Sequence, residues 1–482
     1  MAKSTSPVLY VAGPLALIFA AAGLAAFPLA SDDALALGVL ILVPAALLAL
    51  YVVAQGVFGD RHFGALMAVI YIFVAAANFR IRAYDDKSVD LQVAAKLAAF
   101  SIVIATCCVF FSFALGRIRF PWIFYLWLAF FGGLIVCSLY AEKVSFSLTC
   151  SVLFLFSYLY AVYMTAWLSR RSAVQVMMGA ALLICVGSIF VYFVIPSIGV
   201  MQAWTAEGGF GEIGRMKGLT GSANGIGFIA AFALVLSVLY FRSLGPSGRW
   251  TAFLLVPSAI LCLALSANRS SMIAVVATIW FSFVFRRNAG PKVLLTIVLT
   301  LVGAAALALF PDEILATLSR SGKAGEITSA TGRSSIWAVV LEMWAQRPLH
   351  GYGYTSALAI LPLDPRLFHV AAHAHNMYLE LLFAGGATLL ALFLYATWQT
   401  LRQAHRLGAV KEAALLVFFL LRGLTEATPF SGMVGYSSLA FTVSLALIIA
   451  QSLRARTLHS TAAAGTPVSV QAAGATLRQS HP

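Results

Sequence analysis

Apolar residues run along this chain in long blocks, and most charged residues fall in the intervals between them. A hydrocarbon layer about 30 Å thick takes about 20 apolar residues per helix. On that ruler the blocks fall near 8–29, 35–54, 63–79, 91–115, 120–140, 145–168, 173–195, 222–241, 250–267, 270–285, 291–310, 375–401, 409–423 and 435–453. The pattern predicts an all-α, polytopic integral membrane protein with about 12–14 transmembrane helices. The first block follows Lys3 as a signal peptide would, but it is longer than a usual signal core and further spans follow, so it is taken as a helix. The expected organisation is 1–310 as helices with short loops, 311–374 as one large outer loop, 375–453 as the last helices and 454–482 as a disordered cytoplasmic tail.

Loop charge supplies an orientation. With the N-terminus inside, nearly every short inner loop carries a basic pair, such as Arg117 and Arg119, Arg170 and Arg171, or Arg286 and Arg287. That is the positive-inside pattern, and it puts both termini in the cytoplasm. Two outer segments stand apart, 196–221 and 311–374. Within the second, Ser334–Gln346 has a helical pattern, with Ile336, Val340 and Met343 or Trp344 on one face and Pro348 beyond its end. With Trp337 and Trp344 this helix is suited to lie along a membrane surface.

Composition sharpens the class. Of 482 residues 61% are hydrophobic and 10% are charged, against about 25% charged in an ordinary soluble domain. The net charge of +14 is scattered singly and in pairs between apolar runs, which argues for topology and against nucleic acid. The six cysteines, Cys107, Cys108, Cys137, Cys150, Cys185 and Cys262, lie inside apolar runs without metal-ligand spacing.

Four outer features carry candidate chemistry. GRMKGLTGSANGIG, residues 214–227, sets Arg215 and Lys217 before a glycine-rich helix start. SANRSS holds Arg269 at a tight turn between two apolar blocks, and TGRSSIW puts Arg333 at a helix N-terminus, a natural anion site. HVAAHAHNMYLE brings His373, His375 and Asn376 to the end of a long block. The plain alternatives are a snorkelling end-cap for Arg269, a lipid-phosphate contact for Arg333 and an ordinary helix-start residue for His375. His369, His373 and His375 have spacings that can converge on zinc, but no cysteine supports such a site, so no metal and no cofactor are expected. Arg422 and Glu426, four apart, suggest a structural ion pair, and Gly221 with Gly225 suggests close helix packing. Arginines with one histidine at a single face suit a lipid-linked sugar diphosphate: guanidinium groups hold the leaving group and imidazole takes a proton.

The run TGRSSIWAVVLEMWAQRPLHGYGY, followed by AHAHNMYLELLFAGG, resembles the core of the O-antigen ligase family, which also contains related polysaccharide polymerases. SANRSS and RMKGLTGSANGIG fit the same pattern, so the resemblance spans roughly residues 210–400. It implies a metal-independent inverting glycosyltransferase of the bacterial inner membrane whose site faces the periplasm. The implied donor is an undecaprenyl-diphosphate-linked glycan, and the acceptor is the lipid A-core of lipopolysaccharide or a second glycan. Membrane lipids are the other partners. By the resemblance Arg215 and Arg269 hold the diphosphate, His375 is catalytic, and Arg333 and Asn376 contribute to binding, with Lys217 and His373 beside them. The alternative within this chemistry is a polymerase that extends the lipid-linked glycan. From another class, a transporter or flippase would place ionisable residues at mid-membrane on broken helices, whereas here Lys96 is the only basic residue well within a block and the basic-plus-histidine set sits at one face.

Overall fold

The computed structural model describes residues 61–78, 90–204, 210–285, 296, 333–367 and 372–463. The blocks near 8–29, 35–54 and 291–310, most of the first half of the large loop, His369 and residues 464–482 lie outside these. The described long helices are α1 (Arg61–Ala76), α2 (Leu91–Ala114), α3 (Trp122–Ser138), α4 (Val144–Tyr163), α5 (Arg170–Val194), α6 (Ala223–Tyr240), α7 (Pro246–Ser266), α8 (Arg269–Val284), α9 (Arg333–Gln346), α10 (Met377–Arg406), α11 (Val410–Arg422) and α12 (Tyr436–Ala463). Every apolar block among the described residues is a helix. Seven of the helices are long and apolar enough to cross a membrane, and the protein is an all-α, multi-pass membrane protein.

Burial sorts the helices into inner and outer positions. The apolar stretch of α12 is 83% buried and that of α6 72%, whereas α2 is 28% and α7 33% buried. The first pair forms the middle of the bundle. The second turns apolar side chains outward, as lipid-facing helices do. Around α12 an aromatic core forms from Trp127, Phe130, Phe393, Phe430 and Phe441, with edge-on ring pairs such as Trp127 and Phe441 at 5.5 Å. The Trp127 indole donates to Thr400 Oγ1 at 2.8 Å, so its one polar atom is satisfied inside the core.

Three details depart from the sequence expectations. The connection between α5 and α6 holds an antiparallel hairpin, β1 (Val200–Trp204) with β2 (Phe210–Met216), in which Met201 pairs with Arg215. The last helix runs on to Ala463, into the stretch expected to be a disordered tail. And α10 is broken at Gly385 and Gly386, where Gly386 has φ 62° and ψ −163°.

The break is filled by the chain itself. Tyr352 N donates to Phe383 O, Gly353 N to Ala384 O, Ala387 N to Pro348 O and Thr388 N to Leu349 O. The loop 348–353 therefore supplies the hydrogen bonds that the interrupted helix gives up. A Cβ on Gly386 would come within 2.3 Å of the Leu349 carbonyl carbon, so only glycine permits this approach. The AGG and HGYGY runs are thus mutual backbone partners that anchor α9 and its loop to α10.

Candidate active site

Three helices begin at the same end of the bundle, and each begins in the same way. A residue in the left-handed region precedes a polar N-cap: Gly221 (φ 69°) before Ser222, Ala267 (φ 48°) before Asn268, and His375 (φ 48°) before Asn376. The caps open α6, α8 and α10. Ser222 Oγ accepts from Asn224 N at 3.2 Å, Asn268 Oδ1 from Ser271 N at 3.1 Å, and Asn376 Oδ1 from Tyr378 N at 2.9 Å. Gly221 thus turns the backbone at a helix start, and it is Gly227 that makes the close approach, since a Cβ there would meet Asn268 Cβ at 2.5 Å. Small-residue packing was expected at Gly221 and Gly225; the turn chemistry takes Gly221 instead.

For His375 the left-handed conformation costs an L side chain roughly 1–2 kcal/mol. The surroundings impose it. Trp337 of α9 donates its indole N–H to Ala374 O at 3.0 Å, and Glu380 Oε2 accepts from Ala374 N at 2.9 Å. Met377 N donates to Gly423 O at 2.7 Å, and Asn376 Nδ2 to Leu424 O at 3.0 Å. Trp337 therefore serves to pin the histidine loop. The helical face expected on this segment is correct, with Val340 buried and Ile336 and Met343 packed beside it.

The centre of the site is a residue that the sequence reading assigned to structure. Glu426, in the loop after α11, is buried, and Oε1 accepts from Arg333 Nη2 at 2.7 Å and from Asn224 Nδ2 at 2.8 Å. Its other oxygen, Oε2, faces His375 Nδ1 at 3.5 Å. Burial pushes the Glu426 carboxyl up, but the facing His375 imidazole and the Arg422 and Arg333 charges outweigh that and hold it well below the usual carboxylate range. It is an anion at neutral pH.

Arg422 does not form the i,i+4 ion pair expected with Glu426. Its guanidinium donates to Ser271 Oγ at 2.9 Å, Thr428 Oγ1 at 2.7 Å and Asn224 O at 3.1 Å, tying α11 to α8 and α6. It acts on Glu426 through charge alone.

The remaining candidates fall around this group. Arg215, delivered by β2, donates Nε to Ser266 O at 2.9 Å and Nη2 to Asn224 Oδ1 at 3.5 Å. Arg269 is the first residue of α8, half-buried, next to the Asn268 cap whose amide reaches Asn224 Oδ1 at 3.4 Å. His373 lies edge-on to His375, ring centroids 4.0 Å apart. Burial, reinforced by the neighbouring His375, pulls the His373 pKa down to about 4, so that ring is neutral at pH 7. Lys217 enters through its backbone, N donating to Gly199 O at 2.9 Å, and its side chain makes no hydrogen bond or ion pair among the described residues. Sequence reasoning missed Asn224 and Glu426. Asn224 was visible inside the glycine-rich run, and Glu426 as one of the few acids next to apolar blocks.

The arrangement has definite chemical capacity. A buried carboxylate 3.5 Å from one imidazole nitrogen favours a proton on that nitrogen, which leaves the other able to take one. Arginines at helix starts supply forked donors for an anion. Residues 253–394 match the family model described as O-Antigen ligase. That segment carries Arg269, Arg333, His373, His375 and Asn376. The match supports assigning the chain to the O-antigen ligase family. No curated protein matches it. The O-antigen ligase match supports an enzyme of the ligase or related polymerase type, acting on lipid-linked glycans in a membrane. Arg215, Glu426 and Asn224 lie outside the matched segment; the fold joins Glu426 directly to Arg333 within it, and Asn224 to the same Glu426 oxygen.

Proposed function

We propose that the protein is an inverting glycosyltransferase of the bacterial inner membrane. It transfers a polysaccharide from undecaprenyl diphosphate to the lipid A-core of lipopolysaccharide, with its site facing the periplasm. The observation that carries the reading is the Glu426–His375 pair, set among arginines at one end of a membrane bundle. In the proposed step an acceptor hydroxyl attacks the anomeric carbon, and its proton passes to His375. The bond from that carbon to the diphosphate oxygen breaks, and the electron pair leaves with the diphosphate. Arg215, Arg269 and Arg333 stabilise the departing charge. Glu426 holds the imidazole with its accepting nitrogen toward the substrate and stabilises the imidazolium that forms. Asn376 caps α10 and fixes the backbone of the base, a positioning role.

The basic loops at the opposite bundle end support this orientation, because they belong to the side that positive-inside topology assigns to the cytoplasm. The test is direct. Purified protein is incubated with undecaprenyl-diphosphate glycan and rough lipopolysaccharide, and both lipids are weighed by mass spectrometry. The expected result is a mass gain on the lipopolysaccharide. Growth of the donor lipid alone would make the protein a polymerase, and no change in either would remove the transferase reading.

A further inference from the structure

The end of the bundle opposite the site holds a cavity of about 1530 Å³ between α5, α6, α8, α10, α11 and α12. Five cations line it: Arg170, Arg171, Arg402, Lys411 and Arg454. The one carboxylate in its wall, Glu412, is already used. Arg170 Nη2 donates to Glu412 Oε1, and Tyr240 Oη donates to the same oxygen at 2.9 Å. Arg171, Arg402 and Arg454 are exposed and have no hydrogen bond or ion pair among the described residues. Arg170 Nε is buried and has no hydrogen-bond partner. Arg454 lies close enough to Arg170 for the two charges to repel. Like charges around an open space, with an orphaned N–H among them, want an anion.

Topology alone does not account for this grouping. Arg117 and Arg119 are exposed at the same end, where Arg456 Nη1 reaches Phe120 O at 3.4 Å, yet they do not line the cavity. The apolar part of the wall says what kind of anion fits. Trp398, Leu401 and Val417 continue the cation ring toward the outer surface of α10, where Trp398 is 62% exposed on a candidate membrane span. A ligand with a charged head and a hydrocarbon body satisfies both parts of that wall. We propose that this cavity binds the phosphate headgroup of an anionic membrane lipid, with its acyl chains along Trp398 and Leu401. The site is independent of the transferase reading.

The test titrates phosphatidylglycerol into the full-length protein in neutral maltoside micelles and counts bound lipid by native mass spectrometry. Saturable binding is expected, with phosphatidylcholine much weaker. The double variant Arg402→Gln/Arg454→Gln should weaken phosphatidylglycerol binding roughly thirtyfold, the scale of two lost cation contacts. Arg402→Lys/Arg454→Lys should retain most of the binding, which separates charge from folding. Arg117→Gln/Arg119→Gln, at the same end but outside the cavity, should leave it unchanged. Equal weakening by both glutamine pairs would reduce the effect to general surface charge and overturn the site. Saturation by inorganic phosphate alone, with no further gain from the lipid, would overturn the lipid assignment.

Discussion

Each end of this bundle buries one glutamate against one arginine, and the two pairs are built from nearly the same parts. Glu412 and Glu426 have side chains 2% and 4% exposed, and their partners Arg170 and Arg333 are 29% and 20% exposed. At the first end Tyr240 adds a neutral donor to the oxygen that Arg170 already holds. At the second, Asn224 shares the oxygen held by Arg333, and the other oxygen is turned to a histidine. A buried carboxylate needs compensation wherever it sits, so an ion pair by itself says little about function. The difference lies in the second oxygen. At Glu412 the donors Arg170 and Tyr240 share one oxygen and the pair ties helices together, whereas Glu426 also turns its other oxygen to the imidazole of a residue held in the left-handed region.

The largest combined loss of donor binding and turnover is expected at the arginines. Arg215→Ala and Arg269→Ala should each lower turnover by about 10²–10³, with weaker donor binding, and Arg269→Lys should recover only part of it because lysine lacks the fork. Steady-state transfer beside a donor-binding isotherm reads both. Retained turnover would make these arginines lipid anchors.

The two glutamates should then separate cleanly. Glu426→Gln keeps an oxygen for Arg333 and Asn224 but removes the charge facing His375, so kcat should fall by on the order of 10² with donor KM little changed. Glu412→Gln likewise keeps an oxygen for Arg170 and Tyr240 but removes the carboxylate charge that balances the half-buried guanidinium, and should cost about 1–3 kcal/mol of stability, while turnover per folded molecule stays near normal. Thermal unfolding in detergent beside the transfer assay gives both numbers. A reversed outcome, with Glu412 governing turnover, would put the chemistry at the other end.

The smallest effect concerns pH. His373 titrates near pH 4 in the folded protein and near 6.5 when unfolded, so below 6.5 the unfolded chain binds more protons. Stability should therefore decline as pH falls from about 6.5 to about 4 and lose nothing more from this group below that. His373→Asn should flatten the decline. An unchanged pH–stability curve in that variant would show that His373 is already solvated.

Hydropathy located the helices because lipid demands long uninterrupted apolar runs, and every block among the described residues appears as a helix at nearly the expected position. Basic pairs likewise marked one bundle end. What the pattern does not contain is pairing between distant segments. The loop 348–353 enters the break in α10 through backbone atoms alone, and only the glycines hint at it. The hairpin that delivers Arg215 sits in a segment too polar and glycine-rich to resemble a buried strand. Among site residues, the arginines and His375 stood out because charge beside apolar runs is expensive. Glu426 did not. Its i,i+4 spacing from Arg422 offered a sufficient local partner, and the fold spends Arg422 elsewhere. The break in α10 carries the feature expected of a transporter, yet its backbone groups are met by the chain's own loop.

Donor binding measured alongside turnover in His375→Ala bears most directly on the central claim, once the variant is shown to insert at normal abundance. Turnover should fall by about 10²–10⁴ while donor binding stays close to that of the unaltered protein, because a base contributes to the step and not to holding the diphosphate. Near-normal turnover in a normally folded His375→Ala protein would contradict the assignment of His375 as the base and, with it, the role given to Glu426.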